Sequence, residues 1–373
     1  VRVIRRVPRQ VNCRVGIMRQ KVVYILPFYD PETDTHLYYN YGLIEAASKQ
    51  LDIFVIVEKA QTLSKVRLLT NWRVQRFRNP GLRFLELLFI CFRLRVSGYK
   101  NMYVHYSYYG ALAGILTDMK TFYWNRGMPW LFRRGWFEEM IFHIVLRHSI
   151  LVTSPRELAQ EYARRYGVKE YKILSNWIDV DAFSPKNSKE DAKRALDLDP
   201  AKKHILFVHH LSERKGVDLI AKTAGKLSGT ENIEFLVVGG GPYRKTLEED
   251  AKHAPIPIRM VGEIPNREVV RCFQAADIFF MPSREEGSPH VILEAMAAGT
   301  PFVAADVGGI REVIPKEAEE FLCPSGDIGA FAEKIKKLLE SPQNYTRARE
   351  AGLRHAQNFS KERGVREFIS LFE

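Results

Sequence analysis

No stretch of this chain is both long and apolar enough to cross a bilayer. The nearest, Leu82 to Val96, is interrupted by Arg83, Glu86, Arg93 and Arg95. A secretory signal is missing as well, because the Arg-rich segment Val1–Arg14 is not followed by an apolar core. The expected location is therefore the cytoplasm, extending to peripheral contact with the inner face of the cell membrane. Cysteine is scarce: Cys13, Cys91, Cys272 and Cys323 lie far apart, without metal-ligand or redox spacing. That excludes a disulfide framework and a zinc cluster, and leaves reduced, mostly buried thiols. Tandem repeats and low-complexity tracts are also missing. Acidic residues are short in one half only. Residues 1–176 hold 13 Asp and Glu against 28 Lys and Arg, whereas residues 177–373 hold 31 against 28. The first half is thus expected to meet an anion, such as lipid head groups, a phosphate-bearing acceptor or nucleic acid. A solvated basic surface is the plainer alternative. Residues 1–17 carry five Arg and no acid ahead of Met18, and read as a basic extension or a membrane-facing leader.

What is present is a regular alternation of strands and helices over 373 residues, a length suited to two domains. Apolar runs at Val22–Pro27, Leu51–Val57, Asn101–His105, Lys120–Trp124 and Ile150–Thr153 read as buried strands. Leu43–Gln50, Gly81–Arg95 and Gly135–Leu146 read as helices between them. The alternation restarts at His204–His209 and continues through strands near 233–238, 258–261, 278–281 and 301–304, with helices between. The polar stretch Ala182–Lys193 separates the two series. The predicted class is α/β, with two Rossmann-like domains: 18–185, then 186–355, followed by a C-terminal helix over 356–373 that returns toward the first domain.

The segment richest in chemistry runs from Met281 to Pro301. Strand Ile278–Met281 ends in a polar loop, and Ser288-Pro289 is placed as N-cap and first residue of a helix. The free amides and dipole at that helix start suit a phosphate. Glu286 in the loop and Glu294 two turns along offer carboxylates to the hydroxyls of ribose and hexose rings. Taken singly, each is more often a solvated surface acid; the strand end, the helix start and the spacing of the two acids together point to a site.

These residues resemble the E-x7-E motif of the GT4-type family of retaining glycosyltransferases. The surroundings are similar too: Glu294-Ala-Met-Ala-Ala-Gly-Thr-Pro301, Asp306-Val-Gly-Gly-Ile-Arg-Glu-Val313, Asn176-Trp-Ile-Asp-Val-Asp-Ala-Phe183, Leu211-Ser-Glu-Arg-Lys-Gly216 and Val238-Gly-Gly-Gly-Pro242. The resemblance covers roughly residues 150–373. It implies a GT-B fold with parallel sheets facing a central cleft, and a hexosyltransferase acting in cell-envelope or surface polysaccharide or glycolipid synthesis. The donor it implies is a nucleoside diphosphate sugar, UDP or GDP before ADP, bound by the second domain. The acceptor is a glycan or lipid-linked molecule held by the basic first domain. Lys215 would neutralise the departing diphosphate, Glu294 would hold the ribose and Glu286 a hydroxyl of the transferred sugar. Amides of Gly287, Ser288 and His290 would approach the phosphate or sugar, and Gly240 would line the nucleotide site. No cofactor or metal is expected to be required.

Two departures stand out. His210 occupies the place of the family's usual Arg, so phosphate stabilisation would be shared with Arg214. Asn125 or Arg126 stands near the family's usual N-domain His, which leaves His105 as the alternative base. Asp179-Val-Asp181 and Asp197-Leu-Asp199 mimic a metal-binding pair, but read as cap and turn carboxylates. Gly239-Gly-Gly lacks dinucleotide-fingerprint spacing. Aromatic clusters such as Trp124–Trp136 read as core packing, with an apolar acceptor groove as the minor reading. The rival functions are a sugar-nucleotide epimerase or hydrolase, a donor-binding protein without turnover, and a nucleic-acid binder, the last without a recognised motif.

Overall fold

The computed structural model describes residues 19–29, 37–60, 71–77 and 79–373; the basic extension 1–17 and Cys13 lie outside them. Two wholly parallel sheets organise the described residues. The first contains β1 (Lys21–Tyr29), β2 (Asp52–Ala60), β3 (Asn71–Val74), β4 (Asn101–His105), β5 (Lys120–Trp124), β6 (Ile150–Thr153) and β7 (Tyr171–Ile173). The second contains β8 (Lys203–Val208), β9 (Ile233–Val238), β10 (Ile258–Gly262), β11 (Ile278–Met281), β12 (Phe302–Ala305) and β13 (Leu322–Cys323). A parallel sheet covered on both faces needs apolar side chains on both sides of each strand. β1 shows this: Val22, Val23, Tyr24, Ile25 and Leu26 are all fully buried.

Helices α1 (Leu37–Ala47), α2 (Pro80–Val96), α3 (Tyr108–Leu116), α4 (Trp136–His148) and α5 (Arg156–Tyr166) belong to the first sheet. α2 starts where Asn79 accepts from the Gly81 and Leu82 amides and Pro80 pre-sets the first turn. Around the second sheet lie α6 (Val180–Phe183), α7 (Lys189–Arg194), α8 (Asp218–Lys226), α9 (Arg244–Lys252), α10 (Asn266–Ala275), α11 (His290–Ala297), α12 (Ile310–Val313), α13 (Ile328–Glu340) and α14 (Pro342–Ala356). The last helix, α15 (Lys361–Ser370), packs on α1 and sets Phe368 and Phe372 against Tyr103 of the first sheet.

The strand order is β3-β2-β1-β4-β5-β6-β7 in one sheet and β10-β9-β8-β11-β12-β13 in the other. The order reverses between β1 and β4, and again between β8 and β11. Such switch points open a crevice at the carboxyl ends of the strands, where open α/β sheets bind ligands.

The chain changes domain at Trp177–Ile178. Trp177 packs in the first core, while Ile178, Val180 and Phe183 pack in the second. This lies ahead of the boundary expected at 185–186. Residues 184–188 form the turn between α6 and α7, with Ser188 capping α7, and Lys189–Lys193 belong to α7 itself. The return crossing lies alongside: the Ile178 amide donates to the Phe359 carbonyl at 2.8 Å, and Ile178 bridges Ser360. β3, β7 and β13, of four, three and two residues, carried no readable pattern, nor did α3, α5 or α14. Cys91, Cys272 and Cys323 are free and buried.

Candidate active site

The second sheet's switch point brings its loops together at the ends of β8 and β11. Two consecutive histidines follow the end of β8, and they turn to opposite sides. His210 faces solvent, and its amide donates to His209 Nδ1 at 3.0 Å. His209 turns inward, with Nε2 3.3 Å from Glu286 Oε1. The residue brought to the site is therefore His209, where the motif pointed to His210. Lys215 Nζ reaches the same Glu286 oxygen at 2.7 Å, and both side chains are buried. Arg214, beside it, is exposed.

Lys215 is held by a short turn that ends at Gly216, with φ +70°. A Cβ there would stand 2.0 Å from the Pro282 carbonyl oxygen, so the turn lies directly on the β11 loop. Arg284 secures the same loop with bidentate bonds of 2.6 and 2.8 Å to Asp218, and its amide donates to the Arg214 carbonyl at 2.9 Å. Gly308, at φ +56°, supports the other side: a Cβ there would fall 1.8 Å from the Glu286 carbonyl oxygen. Burial pushes the Glu286 carboxyl up, but the His209 hydrogen bond and the Lys215 charge outweigh it and hold the group at about 2. Burial also lowers Lys215 and His209, against the pull of Glu286.

Glu294 meets the opposite environment. It sits one turn into α11, buried, and its Oε1 accepts from the Tyr39 hydroxyl at 2.6 Å. Burial raises this carboxyl to about 7, with the Tyr39 bond opposing the rise. Tyr39 comes from α1 of the other domain, stacks on His290 at 4.2 Å and meets Trp177 edge-on. The cap of α11 differs from the sequence expectation. Pro289 is the N-cap, in extended backbone, and Ser288 stands one residue outside it. The Ser288 carbonyl is taken instead by the Asn176 side chain, and its hydroxyl is buried without a partner. The Gly287 carbonyl accepts from the Gly309 amide at 2.9 Å, and Gly287 faces the Arg126 carbonyl across the domain junction.

Gly240 lies on the strand-end turn with its Cα against Glu263, and its carbonyl accepts from the Leu211 amide at 2.8 Å. Gly239, φ +131°, approaches the His209 carbonyl so closely that a Cβ would stand 2.0 Å from its oxygen. The glycine run thus lets this turn lie against the histidine segment.

On the first domain, His105 ends β4, 1% exposed, stacked on Trp124 at 3.9 Å with Nε2 3.1 Å from the Asn40 amide nitrogen. Asn125 is used internally: its amide donates to the Tyr123 hydroxyl, and its oxygen accepts from the Gly127 amide. Arg126 lies over Trp124 at 4.9 Å and donates to the Leu174 carbonyl; its buried Nε has no partner, and it has no acidic partner among the described residues. Asp179 caps α6 and Asp199 accepts from the Ala201 amide, the roles of cap and turn. Among the described residues no group of three or more His, Cys, Asp or Glu is placed to hold a metal.

Sequence reasoning missed His209 and Tyr39. His209 is the neighbour of the motif position, and the sequence does not say which of the two histidines turns inward. Tyr39 sits in Leu37-Tyr-Tyr-Asn-Tyr41, a run without period, and gave no signal.

Residues 188–355 match the family described as Glycosyl transferases group 1. A D-inositol 3-phosphate glycosyltransferase of Corynebacterium urealyticum is 32% identical over 212 residues, covering 54% of this chain and 50% of the relative. The lipopolysaccharide core biosynthesis mannosyltransferase LpsB of Rhizobium meliloti is 31% identical over 212 residues, covering 54% and 60%. The matched region thus spans only about half the length of these curated relatives. Sucrose-phosphate synthase of Thermosynechococcus elongatus superposes with a TM-score of 0.78 at 19% identity, covering 95% of this chain and 98% of that one. Anabaena HepE in complex with UDP and glucose superposes with a TM-score of 0.77 at 14% identity, covering 95% and 99%. The two parallel sheets are a GT-B fold, and residues 188–355 are similar to the group 1 glycosyl transferases.

Proposed function

We propose that this protein transfers a sugar from a nucleoside diphosphate sugar to a glycan or lipid-linked acceptor, with retention of anomeric configuration and without a required metal. The observation that carries the proposal is the meeting of Lys215, His209 and Glu286 at the β8–β11 switch point, with Glu294 on the helix that follows. In this reading the bond from the anomeric carbon to the diphosphate breaks with its electron pair leaving on the phosphate oxygen. The acceptor hydroxyl oxygen bonds to the same face of that carbon, and its proton passes to the departing phosphate. Lys215 is the cation that meets the growing negative charge, in a site poor in water where it acts most strongly. To do so it trades its bond to Glu286 for one to the diphosphate, which frees Glu286 to accept from a sugar hydroxyl. Glu294 receives the ribose hydroxyls in place of Tyr39. His209 adds a neutral hydrogen-bonding group beside them.

HepE is described in complex with UDP-glucose, which makes uridine diphosphate sugars the first donors to try. Cell-envelope synthesis is the favoured setting, since LpsB acts in lipopolysaccharide core biosynthesis. The test is binding and diphosphate release across UDP-, GDP- and ADP-sugars, with Lys215→Ala and Glu294→Ala as comparisons. One donor bound and turned over by the intact protein, and lost in both variants, supports the reading. Equal behaviour of all three proteins overturns it.

A further inference from the structure

The first domain fills its core and still has large apolar side chains left over. On α2 the inner face, Leu87, Ile90, Cys91 and Leu94, is buried. A second stripe, Leu82, Leu85, Phe89, Phe92 and Val96, repeats at alternating steps of three and four residues and is 48–74% exposed. α4 does the same: Ile141, Phe142, Val145 and Leu146 point inward, while Trp136, Phe137, Met140 and Ile144 point out, Trp136 at 80% exposure. Leu131 and Phe132, just ahead of α4, are also exposed. α3 packs between the two helices and adds Leu116. Apolar patches of this breadth mark interaction surfaces on soluble proteins.

We propose that the α2–α3–α4 face is a docking surface for an anionic lipid bilayer. Charge selects this occupant. From residue 80 to 148 there are nine Lys and Arg against four Asp and Glu. Of those acids, Glu86 is buried, Asp118 is bonded to Arg95 and Glu139 to Arg134. Arg93, Arg133 and Arg147 are exposed and have no acidic partner among the described residues. Aromatic and aliphatic groups framed by unpaired cations fit the boundary between acyl chains and anionic head groups. A second copy of the chain fits poorly, since a two-fold interface would set the same cations against one another. Among the described residues no helix is long and apolar enough to cross a membrane, so the contact is peripheral.

Topology places the surface beside the cleft. In a parallel sheet the helix following a strand starts at the carboxyl edge, so α2 after β3 and α4 after β5 both begin on the edge that faces the Glu286 loop. The segment from Trp124 to Trp136 runs from Arg126, next to Gly287, out to Phe132 and Trp136. Docked this way, the cleft mouth opens at the membrane surface, where a lipid-carried acceptor would arrive. The docking itself does not depend on the proposed sugar transfer.

The experiment is co-sedimentation of the full chain with vesicles of phosphatidylglycerol and phosphatidylcholine, or of phosphatidylcholine alone, at low and high salt. Comparisons are Trp136→Ser with Phe137→Ser, Phe89→Ser with Phe92→Ser, and Arg133→Glu with Arg147→Glu. The expected result is binding to the anionic vesicles that weakens roughly tenfold or more in each aromatic pair, and that the Arg pair and high salt also reduce. Melting temperatures and nucleotide-sugar binding in solution should stay at the values of the unaltered protein. No binding to anionic vesicles at low salt, or binding that the aromatic substitutions leave intact, overturns the proposal. So does a solution dimer that Phe89→Ser with Phe92→Ser abolishes in a protein that ignores vesicles. Loss of donor binding with vesicle binding retained would count against the transfer reading alone.

Discussion

The two domains share a strand order and use their apolar residues in opposite ways. Among the described residues, only Val261 of the second domain stands out as a large exposed apolar side chain, against fourteen in the first domain. The second domain is close to neutral and spends its charges locally, as in the Lys193–Asp277 pair at 2.9 Å and the Arg284–Asp218 pair. The first carries the excess of Lys and Arg and leaves several of them facing solvent. The family match is confined to residues 188–355. The same strand order thus leaves the outer surface of each domain free to differ, and function has to be argued from the site and not from the fold.

That contrast can be tested from the strongest effect downward. Lys215→Ala should reduce donor turnover by about 10²–10³-fold. It should also destabilise the fold by about 3–5 kcal/mol, because Glu286 is left buried without its cation. Adding Glu286→Gln should restore most of the melting temperature and none of the turnover. If the single variant melts like the unaltered protein, the buried pair is not what organises this site.

Glu294→Gln should raise stability at neutral pH. The folded state holds the Glu294 proton up to about pH 7, while the unfolded chain releases it near 4.5. From pH 4.5 to 7 the folded form therefore binds more protons, and the unaltered protein loses stability as pH rises, by about 3 kcal/mol in all. Gln keeps the oxygen that accepts from Tyr39 and does not titrate. The gap between the two proteins should open over that window and be small below it. Glu286 has the reverse sign: its stabilisation is present above pH 4.5 and is lost as pH falls toward 2. Denaturant melts at pH 4.5 and 7.5 measure the Glu294 effect, and melts at pH 2.5 and 4.5 the Glu286 effect; parallel curves for the Glu294 pair would mean that Glu294 is ordinarily solvated.

Gly308→Ala and Gly167→Ala set a site glycine against one in the basic domain. Both adopt positive φ, +56° and +65°. A Cβ at Gly167 would meet nothing within 4 Å, so about 1 kcal/mol of backbone strain is the whole expected cost. At Gly308 the clash with Glu286 adds to this, and donor binding should fall along with stability. Equal melting temperatures would show that the Glu286 loop yields freely. The smallest effect belongs to the exposed stripe. Phe89→Ser with Phe92→Ser should change stability by less than about 0.5 kcal/mol per residue, against about 3–5 kcal/mol for Phe280→Ala in the fully buried second core.

Much of this architecture is legible in the sequence because parallel strands between covering helices are continuous apolar runs. Val22–Leu26 and Ile278–Met281 announce themselves in that way. β3, β7 and β13 are too short to carry a pattern and gain their hydrogen bonds from strands already in place. At the site, Glu286, Lys215 and Glu294 stand out because strand ends, turns and helix starts have residue signatures. Orientation does not. His209 and His210 are identical in type, and only the course of the chain after β8 decides which turns inward. Phe132 and Trp136 suggested core packing because composition counts aromatic residues without saying where they face. Tyr39 reaches Glu294 across 255 positions of chain, and no local rule reports such a contact.

The two domains are stitched together by strands of chain that pass within one hydrogen bond of each other, at Ile178 and at Phe359–Ser360. Two straps fastened along one edge of a door leave it a single way to swing. Rotation about that seam would keep both straps fastened, while sliding or twisting would pull them apart. Residues next to the seam hold station as the door moves, and those farther out sweep the larger arc. Trp177 is pressed against Gly364 where the straps meet, and it stays with the first domain's core.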